Sequence, residues 1–245
     1  MPHKANAARR HHIPRPKRRV TNWVVYNEAL RRRARTLELP AQTRATGGAI
    51  HLLVDSSGLK LGGPGEWLVE KHGTSKRRSW RKLHIGFDAV TGRIVASILT
   101  YRDVDDASQV EPLLDQIAEP MELFLADGGY DRTGVYTALE ERHPDAKVIV
   151  PPRADAVLSA TAETEPTQRD GHIQAIADKG RMAWQRDSGY NQRVGVEGQF
   201  ARWKQVIGDG LRFHSDQVRA TKVAVAARVL NRMLDLGRRD SVRVA

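Results

Sequence analysis

Two short runs decide the fold: Ala49-Ile50-His51-Leu52-Leu53-Val54-Asp55 and Met121-Glu122-Leu123-Phe124-Leu125-Ala126-Asp127. Each is apolar, too short for a helix that would stand by itself, and bounded by turn-forming residues. Ser56-Ser57-Gly58 follows the first run and Gly128-Gly129 the second. Both are read as buried strands that end on a carboxylate. In an open sheet, ligands gather at the carboxyl ends of parallel strands, so Asp55 and Asp127 are placed where they can converge.

Outward from the first run, Trp80–Ala89 and Arg93–Tyr101 are strand candidates joined by the turn Val90-Thr91-Gly92, a hairpin signal. Asp105 and Asp106 then suit the positive end of a helix on which Val110, Leu113, Leu114 and Ile117 recur at helical spacing; Pro120 lies beyond its end. After the second run come a helix at 133–142 and a strand at 147–152, completing a βαβ unit whose crossover is right-handed. Residues 153–171 read as a polar loop, 172–186 as a helix, and 191–207 and 217–236 as two long helices separated by Gly208-Asp209-Gly210. No internal repeat is found. The expected class is α/β: a mixed sheet of three antiparallel strands plus two parallel ones, flanked by helices and spanning 49–240. Residues 1–48 precede it as a Pro-punctuated basic arm with one short helix at 23–36.

The chain of 245 residues carries 40 Lys and Arg against 29 Asp and Glu, a net charge of +11. Residues 1–35 hold eleven of the cations, among them Arg18 and Arg19, and a single acid, Glu28; that segment has a charge of +10 and the rest is nearly neutral. A basic arm on a balanced body suits a polyanion, because each neutralised phosphate releases condensed counterions whatever the sequence. The competing reading is a solvated, disordered tail. With no cysteine, disulfides, thiolate zinc sites and cysteine nucleophiles are excluded. No apolar run approaches the roughly 20 residues of a membrane span, so a cytoplasmic protein is expected.

A third acid, Glu197, lies in Tyr190-Asn191-Gln192-Arg193-Val194-Gly195-Val196-Glu197. Three carboxylates from distant segments repel one another unless cations lie between them, and hard oxygen donors suit Mg²⁺ or Mn²⁺. Two such ions about 3.5–4 Å apart serve in-line phosphoryl displacement. Taken singly, an Asp before Gly also reads as a turn-maker or helix cap, and Glu197 as a solvated helix-face acid. At 3.6 residues per turn Tyr190, Arg193, Glu197 and Lys204 share one helix face, which fits a metal ligand flanked by phosphate binders or an amphipathic helix with salt bridges. Trp203 reads as packing or as a base-stacking platform.

The blocks HLLVDSSGLK, EWLVEKHGTSKRRSWRKLHIGFD, TYRDVDDASQV, LADGGYD, AWQRDSGYNQRVGVE through RWK, and VLNRML occur in order from Ala49 to Leu236. Together they resemble the DDE insertion-sequence transposases, specifically the insertion-sequence-five branch of the insertion-sequence-four-like superfamily. The most specific element is the spacing of Tyr190, Arg193, Glu197 and Lys204. The resemblance implies an RNase H-like domain in which Asp55, Asp127 and Glu197 bind two Mg²⁺ or Mn²⁺ ions. It implies hydrolysis at transposon ends, followed by attack of the exposed 3′ hydroxyl on target DNA. Tyr190, Arg193 and Lys204 match positions that hold DNA, and the basic stretch with Lys76, Arg77, Arg78 and Arg81 either supports the DNA backbone or forms a solvated hairpin rim.

The sequence departs from that family at its start, where Arg33 runs directly into Ala34-Arg35-Thr36-Leu37-Glu38-Leu39-Pro40. The intervening helical region that helps recognise transposon ends is missing, which reads as an internal deletion. The expected partners are DNA, as terminal inverted repeats and target, and a second copy in a homodimer; the expected location is a bacterial cytoplasm, associated with the nucleoid. The functions that remain are a transposase, active or decayed, a non-catalytic DNA-binding remnant that interferes with a full-length copy, and a stand-alone nuclease.

Overall fold

The computed structural model describes residues 17–26, 28, 48–61, 80–212, 215–237 and 241–244. Among them the strands are β1 (Lys17–Val20), β2 (Ile50–Leu61), β3 (Trp80–Asp88), β4 (Ile94–Tyr101), β5 (Met121–Leu125), β6 (Lys147–Ile149), β7 (Gly210–Leu211) and β8 (Ser241–Val244). The α-helices are α1 (Val110–Leu114), α2 (Thr133–Arg142), α3 (Gln168–Lys179), α4 (Arg181–Ser188), α5 (Val194–Val206) and α6 (Asp216–Asp235). Two units are formed, Arg44–Asn231 and a smaller one drawn from both termini. In the smaller unit β1 pairs antiparallel with β8, Lys17 opposite Val244 and Val20 opposite Ser241, a pairing that the reading of residues 1–48 as an arm does not contain. Of the helix expected at 23–36, the described residues 23–26 and 28 are helical, with the Trp23 and Tyr26 rings stacked at 6.0 Å.

The larger unit is built on a sheet of order β4-β3-β2-β5-β6, with β7 also paired to β2. β2, β3 and β4 are antiparallel neighbours, while β5 runs parallel to β2 and β6 parallel to β5. Three antiparallel strands followed by two parallel ones is the expected RNase H-like arrangement. Alternation along the strands divides the sheet into two buried faces. Ile50, Leu52 and Val54 of β2 and Phe124 of β5 share one core with Val110, Leu113 and Leu114 of α1 and with Val135, Ala138 and Leu139 of α2. On the other face Leu53, Leu83, Ile85 and Phe87 are buried, and α5 packs there so closely that a Cβ on Gly195 would stand 4.0 Å from the Phe87 ring. Removing one of these fully buried leucines costs about 2–5 kcal/mol. Buried Asn231 of α6 fixes the start of β4, accepting from the Ile94 amide at 2.8 Å and donating to the Ile94 carbonyl at 2.7 Å.

Several boundaries differ from the sequence reading. β2 does not turn at Ser56-Ser57-Gly58 but continues to Leu61, because β3 supplies ladder partners as far as Lys60↔Trp80; pairing overrides the local turn preference. The helix expected after Asp105 begins as a 3-10 turn, Ala107–Gln109. The helix expected at 172–186 starts earlier, at Gln168, and breaks at Gly180, whose φ of +80° no helix accommodates. Tyr190–Arg193 is a 3-10 turn and α5 begins only at Val194.

Candidate active site

The register of the sheet brings the two strand-derived aspartates together. Leu53 of β2 is level with Leu125 of β5, and Asp55 and Asp127 each lie two residues further along parallel neighbours. Both therefore project on the same face, at the same height. Each carboxylate divides its work in the same way. Oδ1 of Asp55 accepts from the Ser56 amide at 2.7 Å, and Oδ1 of Asp127 accepts from the Gly129 amide at 2.8 Å, capping the 3-10 turn Gly128–Tyr130. The Oδ2 atoms face one guanidinium nitrogen, Arg193 Nη2, at 2.8 Å from Asp55 and 3.4 Å from Asp127. Asp127 thus acts as a turn-maker through Oδ1, while Oδ2 is left turned toward Arg193.

The pair is part-buried, with side-chain exposures of 19% for Asp55, 41% for Asp127 and 23% for Arg193. Burial raises the Asp55 carboxyl above its ordinary range, and the charges of Asp127 and Asp106 add to this; the Ser56 amide and Arg193 oppose it. Burial likewise raises the Tyr190 phenol, over which Asp127, Asp55 and Arg193 all act. Because i and i+3 eclipse in a 3-10 helix, the change of pitch at Arg193 keeps Tyr190 in line with it, and Tyr190 rests against Trp184 with ring centroids 5.5 Å apart.

Glu197 does not join the pair. It is exposed on α5, and among the described residues no three of His, Cys, Asp and Glu gather closely enough to hold a metal ion. The expected convergence of three acids is met for two, and a guanidinium from the preceding helical turn faces them. Without cations between them, a third carboxylate beside these two would add to the charge cost that Arg193 lowers. Two carboxylates remain a fitting donor set for Mg²⁺, which is commonly held by one or two of them together with substrate phosphates.

A family model described as Transposase DDE domain matches residues 46–234. The chain belongs to that family. Among solved structures, the DDE domain is similar to a piggyBac transposase synaptic complex with hairpin DNA at 11% identity and a TM-score of 0.41, covering 76% of this chain and 46% of that chain. This chain thus spans less than half the length of that protein. It is also similar to the Mos1 strand transfer complex at 12% identity and a TM-score of 0.27, covering 86% of this chain and 70% of that one.

The other residues singled out by sequence fall in different places. Lys204 is exposed on α5, and Trp203 beside it is buried, which settles its role as packing. Arg81 is engaged internally: its guanidinium is 3.0 Å from Asp216 and lies 4.0 Å over the Tyr101 ring, with 14% of the side chain exposed. Lys76, Arg77 and Arg78 lie outside the described residues, and Arg18 and Arg19 belong to β1 with their side chains outside the description.

Two neighbours of the site were not singled out by sequence. Tyr130 is buried with no hydrogen-bond partner at its hydroxyl among the described residues, and burial and the charges of Asp106, Asp55 and Asp127 all act to raise its pKa. Its signal was its position in Leu125-Ala126-Asp127-Gly128-Gly129-Tyr130-Asp131, three residues past a candidate ligand. Asp106, read as a helix-end acid, does stand at the N-cap of the 3-10 turn Ala107–Gln109, and its carboxylate lies 3.1 Å from Lys82 and 3.4 Å from the buried His84.

Proposed function

We propose that this DDE domain carries out metal-dependent phosphodiester hydrolysis at transposon ends and strand transfer into target DNA. The observation that carries the reading is the pair of Oδ2 atoms, one on β2 and one just beyond the end of its parallel neighbour β5, both turned to one positive group. Asp55 and Asp127 are the ligands of a divalent ion, and Glu197 of α5, apart from them in the metal-free chain, joins as the third carboxylate once cations offset the repulsion. Two Mg²⁺ or Mn²⁺ ions, when bound, supply Lewis-acid activation of the attacking hydroxyl and stabilise the leaving oxygen. Arg193 and Tyr190 hold the DNA phosphate beside the pair, and Lys204 extends the same helix face along the backbone. Lys76, Arg77 and Arg78 support the DNA strand, whereas Arg81 is committed to Asp216.

Within the family we assign the chain to the insertion-sequence-five branch, with an internal deletion between Arg33 and Ala34. Residues 1–48, with Arg18 and Arg19, are the remnant of the DNA-recognition region, and 49–240 form the catalytic part. Its partners are terminal inverted repeats, target DNA and a second copy of itself; its setting is the bacterial nucleoid. No helix among the described residues is long and apolar enough to cross a membrane.

Plasmid nicking in Mn²⁺ tests the reading. The wild-type chain nicks, and Asp55→Asn, Asp127→Asn and Glu197→Gln each lower the rate about a hundredfold or more, as expected for several kcal/mol of lost transition-state stabilisation. Joined products with an end-bearing oligonucleotide separate a transposase from a nuclease of the same fold. DNA binding without any metal-dependent nicking identifies instead the non-catalytic remnant that interferes with a full-length copy.

A further inference from the structure

Asp127 lies beyond the end of β5, so the sheet alone does not fix its carboxylate. It sits on a tight turn: the Tyr130 amide donates to the Asp127 carbonyl at 3.0 Å and the Asp131 amide to the Gly128 carbonyl at 3.3 Å. Asp131, at the end of this turn, has a fully buried side chain. Both its oxygens are taken by the fork of Arg169, Nε at 2.6 Å and Nη2 at 3.1 Å, and Oδ2 also accepts from the Arg153 amide at 2.9 Å. A two-pronged guanidinium fixes orientation as well as distance. The remaining Arg169 nitrogen, Nη1, donates to the Val157 carbonyl at 3.0 Å.

Arg169 is itself held. It lies in the first turn of α3, whose N-terminus carries a capping box between Thr167 and Asp170. Buried Asp170 also accepts from the amide and hydroxyl of Ser159, at 2.7 and 2.8 Å. From the other side Pro151 presses on the turn: a Cβ on Gly128 would stand 3.2 Å from the Pro151 carbonyl oxygen. Residues 151–170, most of them in the 153–171 stretch that reads as a polar loop in sequence, thus form a bracket around the turn that bears Asp127.

We infer that Asp131 and Arg169 are positioning residues, a buried clamp that sets where the Asp127 carboxylate stands; this deepens the proposed function and rests on Asp127 being a ligand there. Breaking one partner leaves an uncompensated buried charge, so the turn opens locally while the sheet stays closed.

Amide hydrogen exchange read by NMR on the full chain tests the clamp without metal or DNA. In Arg169→Gln the amides of Gly129, Tyr130 and Asp131 exchange about tenfold or more faster, while those of Leu123 and Leu125 in β5 stay near wild type. Arg169→Lys, which keeps the charge but loses the fork, gives an intermediate effect and serves if the glutamine variant does not fold. In parallel, Mn²⁺ affinity falls about tenfold in Arg169→Gln, the usual scale for loss of a group that orients a ligand. Unchanged protection at Gly129, equal acceleration at Leu123 and Leu125, or an undiminished Mn²⁺ affinity each overturns the clamp. A wild-type chain that binds no Mn²⁺ overturns the proposed function instead, and leaves the exchange result to decide the clamp.

Discussion

Burial disfavours a charge on Asp55, raising its pKa more than the Ser56 amide and Arg193 lower it. A carboxyl whose folded pKa exceeds its unfolded one favours the fold most when protonated. That contribution is fully present below the ordinary value of 3.8 and is lost as pH rises through the raised folded value. Asp55→Asn removes the burden at neutral pH while its carbonyl oxygen can still accept from Ser56. The variant is expected to melt a few degrees higher than wild type at pH 7, with the gap closing toward pH 4, and to lose nicking. Calorimetry across that pH range decides it; a lower melting temperature for the asparagine variant would mean that the Arg193 ion pair outweighs burial.

At the scale of elements, α6 is tied to the β3-β4 hairpin through Asp216 in its first turn. That carboxylate accepts from Arg219 at 2.7 Å, Tyr101 Oη at 2.9 Å and Arg81 at 3.0 Å. The hydrogen bonds of Arg219 and Tyr101 lead in lowering its pKa, to about 2. A depressed pKa means stability that is present above the unfolded value of 3.8 and is lost as pH falls toward 2. Asp216→Asn is therefore expected to lower the urea midpoint at pH 7, by an amount that shrinks between pH 4 and pH 2. The run between α3 and α4 carries a second prediction. Gly180 has open space where a Cβ would go but a φ of +80°, so Gly180→Ala costs about 1–3 kcal/mol through backbone strain alone, measurable by urea unfolding.

These elements also show what sequence could convey. The apolar runs at 49–55 and 121–127 announced central strands, and the parallel pairing that they implied is what levels Asp55 with Asp127. The length of β2 was not legible, since Ser56-Ser57-Gly58 is a turn signal and only the partner strand cancels it. The 172–186 helix pattern concealed the break because a lone glycine is tolerated in a helix unless its φ is positive. Arg193 on the aspartate pair and Arg169 on Asp131 join residues 138 and 38 positions apart, and no local periodicity encodes such contacts. Glu197 followed the signature spacing faithfully, yet spacing on a helix fixes a face and not a distance to another strand.

Over the whole molecule the charge is unevenly spread. Residues 1–35 carry +10 of the net +11, so the remainder has almost no long-range pull on DNA. If residues 1–48 are what is left of the recognition region, association is driven by that segment and is mainly electrostatic, with little preference for sequence. Each phosphate neutralised contributes about 0.9 to the slope of log Kobs against log salt. Replacing Arg9, Arg10, Arg15, Lys17, Arg18 and Arg19 by glutamine is then expected to flatten that slope by up to roughly five, and to weaken binding equally on terminal-repeat and scrambled duplexes. Fluorescence anisotropy between about 50 and 200 mM salt measures both. An unchanged slope would move the phosphate contacts onto the DDE domain itself, to the face proposed for Tyr190, Arg193 and Lys204, and a selective loss on terminal repeats would show that residues 1–48 read sequence.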